Sequence, residues 1–149
     1  MLNFNIKMFS ETLKHAILAM VYLATHEDEQ VMVSKIAEDY DIPKYYLAKI
    51  VRTLSKHQLI NSSRGRNGGI KLNKPPSEIK IIDIIQAIEG PPPPNEMCLF
   101  GLDICSDLVP CPIHDTWKKM KNDINERLYK KNLQTMAIEI NRKHQILRD

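Results

Sequence analysis

Asp41-Ile42-Pro43 separates two short segments of helical hydrophobic spacing, and this junction constrains the fold more than any other feature of the chain. Proline fixes its own φ near the helical value and has no N–H, so it suits the first turn of a following helix. That helix is predicted to run to about His57, with Leu47, Ile50, Val51 and Leu54 facing inward. Tyr45, Tyr46, Lys49, Arg52, Thr53 and Lys56 are left for its other faces. The segment before the junction starts near Ser34, a candidate N-cap, and carries Ile36, Ala37 and Tyr40. An earlier helix is predicted from Ser10 to His26, capped by Ser10 and ended by Glu27-Asp28-Glu29-Gln30. Two short helices joined by a tight turn, the second of them basic, form a helix-turn-helix arrangement.

Two strand-like pieces follow between Leu59 and Leu72, flanking the Gly-rich, Arg-bearing tip Arg64-Gly65-Arg66-Asn67-Gly68-Gly69. Asn67-Gly68 is a hairpin signal because both positions tolerate positive φ. A hairpin directly after a helix-turn-helix is a wing, and Pro75-Pro76-Ser77 closes the module. Ile81 to Ile88 reads as an apolar helix stopped by Gly90 and by Pro91 to Pro94. A cysteine-bearing loop spans Asn95 to Pro112. From His114 to about Ile146 one long helix is predicted, with Trp117, Met120, Ile124, Leu128, Met136 and Ile140 on a stripe that weakens around Lys130–Asn132. So small a domain cannot bury that stripe, which therefore asks for a partner, most simply a second copy of the chain.

At 149 residues the chain has room for one modest domain and an appendage. The fold class expected is mainly α with a small β-hairpin wing. A winged helix-turn-helix domain would occupy 1–76, a linker helix and cysteine loop 77–113, and a dimerisation helix 114–149. No apolar run is long enough to span a bilayer and no export signal opens the sequence, so no membrane partner and a cytoplasmic location are expected.

The net charge of +3 says less than its distribution. No carboxylate falls between Asp41 and Glu78, while Lys44, Lys49, Arg52, Lys56, Arg64, Arg66, Lys71 and Lys74 all do. Such a segment concentrates positive potential on one part of the surface, as a polyphosphate partner requires. The plainer alternative is a solvated basic face. In a helix-turn-helix protein the second helix enters the major groove of duplex DNA. Lys44, Tyr45, Tyr46 and Lys49 would then reach base edges, and Arg52 a phosphate. Arg64 and Arg66 would enter the adjacent minor groove or grip its phosphates. One of the two tyrosines, Tyr46, is expected to pack inward.

Cys98, Cys105 and Cys111 are the three cysteines of the chain, and an odd number argues against a disulfide framework. Their clustering points to a metal, a cluster or a redox thiol. A zinc site of three cysteines and one histidine would use the same ligand types. Cys111 and His114 could also be read as a thiol enzyme. No oxyanion donors accompany them, and Asp115 is the one carboxylate nearby, so no enzyme is expected. His15, His26, His57 and His144 have no partner at ligand spacing and read as satisfied or solvated.

Lys14-His15-Ala16-Ile17-Leu18-Ala19-Met20, Pro43-Lys44-Tyr45-Tyr46-Leu47, Arg64-Gly65-Arg66-Asn67-Gly68-Gly69-Ile70 and Ile84-Ile85-Gln86-Ala87-Ile88-Glu89-Gly90-Pro91 together resemble the RRF-type bacterial winged-helix transcription regulators, the IscR/NsrR/CymR-like family. The resemblance covers roughly Met8 to Arg142. It implies a homodimeric regulator, expected as a repressor, that binds a pseudo-palindromic operator on double-stranded DNA. It also implies an iron–sulfur cluster of two or four irons, held by Cys98, Cys105 and Cys111 and controlling operator binding. IscR-type members add a histidine three residues after the last cysteine, matched here by His114. NsrR-like members take that ligand from the partner's first helix, where this chain has Lys14 and, one turn earlier, Glu11. The gaps are six and five residues, whereas cluster-binding members typically have five in each.

Overall fold

The computed structural model describes residues 9–91, 98, 100 and 106–148, the last five of these for their backbone alone. Helix α1 (Glu11–Ala24) opens as its sequence dictates: the Ser10 hydroxyl accepts from the Leu13 N–H at 3.1 Å. It buries Leu13, Ala16, Ala19, Met20, Val21 and Leu23, more of its circumference than one stripe, because later helices pack on it from several sides. Helix α2 (Val33–Asp39) and helix α3 (Lys44–Lys56) follow, joined by a turn in which Asp41 takes φ +53° and buried Ile42 donates to the Ala37 carbonyl at 2.8 Å.

Two local expectations shift here. Ser34 does not cap α2; Met32 occupies that position, and its carbonyl accepts from Lys35 and Ile36. The entry to α2 is set instead by Val31, which exchanges both backbone hydrogen bonds with Ile70 at 3.0 and 2.8 Å. Pro43 stands just before α3 as its cap, its carbonyl accepting from Leu47 at 3.0 Å.

Strands β1 (Ile60–Ser63) and β2 (Gly69–Leu72) form the antiparallel wing, with Ile60 opposite Leu72 and Ser63 opposite Gly69. The turn differs from the two-residue form that Asn67-Gly68 signals. It spans Arg64 to Gly68, and the positive φ falls on Gly65 (+112°). The five-residue loop moves the left-handed position upstream. Glycine is needed at 68 for another reason: a Cβ there would sit 2.6 Å from the Ser63 carbonyl oxygen.

A short 3-10 turn (Pro76–Glu78) leads to α4 (Ile81–Glu89), which stops at Gly90 with φ +86°. The single helix expected after His114 is two: α5 (His114–Lys130) and α6 (Leu133–Arg148). Lys131 is extended, its carbonyl accepts from Ile81 at 3.1 Å, and the Leu133 N–H donates to Ile79 at 2.8 Å. This strand-like stitch to the start of α4 breaks the helix. It also turns α6 back onto α1, where Leu133 and Ala137 join the core of α1 to α4. The later part of the apolar stripe, Met136 and Ile140, is therefore half-buried against the chain's own core. Of α5, His114 is the buried residue.

Candidate nucleic-acid interface and cysteine loop

At 100° per residue, Tyr45, Lys49, Arg52 and Lys56 fall within about 60° of one another on α3. They lie opposite Leu47, Ile50, Val51 and Leu54, the residues that α3 buries. The apolar face holds the helix to the domain, and the cationic face is thereby turned to solvent. Tyr45 is 89 % exposed. Lys44 flanks this stripe, and no carboxylate occupies the first turn, so nothing neutralises the positive end of the helix. Tyr46 leaves the stripe as expected: its hydroxyl meets the Thr12 hydroxyl at 2.6 Å and its ring stands edge-on to His15, tying α3 to α1.

All eight cations of the carboxylate-free stretch are exposed, Arg64 and Arg66 at the tip of the wing. Among the described residues none of the eight pairs with a carboxylate. Elsewhere Lys14, Lys35, Lys118, Lys130 and Lys131 each have one, at 2.7 to 3.4 Å. Unpaired cations keep their full potential for an external anion, whereas a paired surface lysine is largely cancelled at a distance.

Sequence reasoning missed what steadies the wing. Val31 adds a third backbone rung to β2, and Ser63 Oγ donates to Gln30 Oε1 at 3.3 Å. A Cβ on Gly69 would lie 2.8 Å from the Val31 carbonyl oxygen, so the close approach requires glycine. The β-branched pair in Val31-Met32-Val33 was the available signal. The wing is thus fastened to the segment that opens α2.

In the cysteine loop, Cys98 is buried and Cys111 half-buried, while Cys105 lies outside the described residues. His114 is 4 % exposed, and its Nε2 lies 2.8 Å from Asp107 Oδ1. Lys118 Nζ donates to both Asp107 oxygens at 2.9 Å. The Lys118 ammonium first, then the His114 ring, hold the Asp107 carboxyl below its ordinary pKa. Cys111 and His114 are linked through the backbone, the His114 N–H donating to the Cys111 carbonyl at 3.0 Å. Among the described residues no three donors gather into a metal site, so Cys98, Cys111 and His114 do not make one without Cys105. Chemically, thiols and a buried, oriented imidazole suit an iron–sulfur cluster. Asp107 and Lys118 escaped the sequence reading because their partners are set by the loop's return onto α5.

Of the remaining histidines, His26 stacks on Tyr22 at 4.4 Å with Nδ1 against the Tyr22 carbonyl, and His57 is exposed. His15 departs from expectation: its Nδ1 is buried without a hydrogen-bond partner among the described residues. The His144 side chain lies outside the described residues.

A family model described as an iron-dependent transcriptional regulator, Rrf2, matches residues 9–139. An HTH-type transcriptional regulator of Aquifex aeolicus is 38 % identical over 121 residues, covering 80 % of this chain and 83 % of that protein. Among solved structures, CymR, the global cysteine regulator of B. subtilis, superposes with a TM-score of 0.75 at 25 % identity, covering 88 % of this chain and 96 % of CymR. IscR of T. potens gives 0.68 at 27 % identity, covering 89 % and 87 %. No helix among the described residues is long and apolar enough to cross a membrane.

Proposed function

The chain belongs to the Rrf2 family of winged-helix transcriptional regulators, which are not enzymes, and from that premise we propose that it represses transcription as a homodimer under the control of an iron–sulfur cluster. Two α3 stripes and two wings, related by a twofold axis, would read a pseudo-palindromic site on duplex DNA. Lys44, Tyr45 and Lys49 reach base edges, Arg52 and Lys56 bind phosphate, and Arg64 and Arg66 grip the phosphates that line the adjacent minor groove. One observation carries this reading: eight exposed cations with no carboxylate partner among the described residues, seven of them on α3 and the adjoining wing and Lys74 just after it.

The second copy is called for by α5. Its Trp117, Ile124 and Leu128 are half-buried, while Met120 and Tyr129 are 41 % and 47 % exposed. Trp117, Met120, Ile124 and Leu128 recur at helical spacing, with Tyr129 beside them, on a helix that buries little within its own chain, and an equivalent helix is the simplest cover. The cytoplasm is the compartment proposed for such a regulator.

Cys98, Cys105 and Cys111, with His114, are the residues that would hold the cluster. Bound there, it would supply a centre sensitive to electrons and small oxidants. The loop joins α4 to α5 in sequence, so a group bound there would adjoin the helix proposed for dimerisation. A second reading uses the same residue types: a cluster-free regulator, sensing through zinc or through thiol oxidation at these cysteines.

Electrophoretic shifts of promoter DNA across a salt series, with protein reconstituted without oxygen in iron and sulfide, test the whole. Expected are binding that weakens steeply with salt and differs between loaded and unloaded protein. Equal binding to any duplex at every salt concentration overturns the regulator mechanism. Visible absorption and bound iron separate the cluster from the cluster-free reading.

A further inference from the structure

We propose that Tyr46 is a positioning residue for sequence reading: through Thr12 it fixes the roll of α3, and with it the register of Lys44, Tyr45 and Lys49 on base edges. This deepens, and rests on, the reading that the outward stripe of α3 enters the major groove. Tyr46 lies about 100° round the helix from Tyr45, on the boundary between the stripe and the buried face. Leu47, Ile50, Val51 and Leu54 press α3 onto the domain, but apolar contact has no preferred direction. The first turn has no carboxylate, and its N-cap, Pro43, makes no side-chain hydrogen bond. The Thr12 and Tyr46 hydroxyls, 2.6 Å apart and part-buried, supply a directional contact there.

Both ends of that contact are held. The Tyr46 ring stands edge-on to His15, with centroids 5.6 Å apart at 86°, which confines the ring that carries the hydroxyl. Thr12 sits in the first turn of α1, whose cap Ser10 is fastened on two sides. The Ser10 hydroxyl accepts from the Leu13 N–H at 3.1 Å and donates to Oε1 of Glu89, the last residue of α4. The same oxygen accepts from the Ser10 N–H at 3.4 Å. Leu13 and Ala16, on either side of this turn, are wholly buried. A side chain on the rim of a helix stands about 6 Å from the axis, so a roll of about 10° moves it by about 1 Å. That is enough to take a base-edge hydrogen bond out of range.

The test compares wild type, Y46F, T12V, T12S and the double variant T12V/Y46F as full chains prepared identically. Two probes are used: the duplex that wild type enriches from a library of about 30 random base pairs, and a mixed-sequence duplex of the same length. Fluorescence anisotropy across a salt series gives the ratio of the two affinities. Y46F and T12V should each lower that ratio by about five-fold or more, the lower end of what one base contact discriminates. The double variant should be no worse than either single one, because both remove the same bond. T12S keeps the hydroxyl and should restore the ratio. The salt slope should not change, since every cation is kept. A loss equal on both duplexes would mean that the bond only holds the fold together, and overturns the proposal. An unchanged ratio in Y46F, or losses that add in the double variant, overturns it too. A wild type that enriches no sequence overturns the base-reading assignment beneath it.

Discussion

Replacing Arg64 and Arg66 together by alanine removes both cations from the wing tip at little structural cost, because both are exposed and neither has a carboxylate partner among the described residues. Each phosphate contact contributes about 0.9 to the slope of log affinity against log salt. With two lost per protomer and two protomers on the duplex, the slope should become shallower by about 3.6. Between about 50 and about 200 mM salt, the gap in affinity between wild type and variant should then close by roughly two orders of magnitude. The backbone component is independent of sequence, so fluorescence anisotropy on a mixed-sequence duplex of about 30 base pairs suffices. Stability should move by less than about 0.5 kcal/mol, as for other surface substitutions without partners. The lysine pair R64K/R66K should keep the wild-type slope. A variant of weaker affinity but wild-type slope would refute the reasoning, since the tip would then not lie on phosphates.

Leu133→Ala should cost about 2–5 kcal/mol, because Leu133 is wholly buried where α6 returns onto the core; urea unfolding measures this, and a loss below about 1 kcal/mol would mean that α6 is not part of the folded unit. Gly69→Ala forces a Cβ against the Val31 carbonyl and should break the two Val31–Ile70 hydrogen bonds, at about 1 kcal/mol each, with DNA affinity falling as the wing loosens; the same unfolding and binding assays read both effects. Tyr22 donates to Asp39 at 2.8 Å, and burial first, then that bond, push its hydroxyl up to about 12. A raised folded-state value stabilises below the unfolded one, so this contribution is full below pH 10 and is lost as pH rises through about 12. Thermal melts of Tyr22→Phe and wild type should therefore converge across that window, and a constant difference would show that the α1–α2 link is not what titrates.

The helices α1, α3 and α4 were legible because each repeats its buried residues at one helical period, and a period is a local property. The wing was legible from its turn residues between two strand-like pieces, and the cationic stripe followed from subtracting the apolar face of α3. What was not legible depended on strangers in the sequence. Ser34 looks like a cap until Val31 pairs with Ile70 and decides where α2 begins. The apolar stripe weakens around Lys130–Asn132, but nothing in that weakening says that Lys131 is pulled straight by Ile81. Asn67-Gly68 carries the right composition for a two-residue turn, but the register of Ser63 on Gly69 sets a longer loop and shifts the left-handed residue to Gly65. In the cysteine loop the donors were readable as types. The Asp107–His114–Lys118 arrangement was not, because a carboxylate in a polar loop announces no partner.

The stitch at Lys131 makes α5 a rod with a fixed fulcrum. Its 17 residues span about 25 Å, with the backbone of Ile79 and Ile81 gripping one end and the cysteine loop attached to the other. A tilt of about 5° about the gripped end would sweep the loop end through about 2 Å. The same fulcrum starts both α4 and α6, and both rest on α1. A displacement imposed at the loop end of α5 would therefore be felt at α1, on which α3 also packs, with no need for the rod to slide.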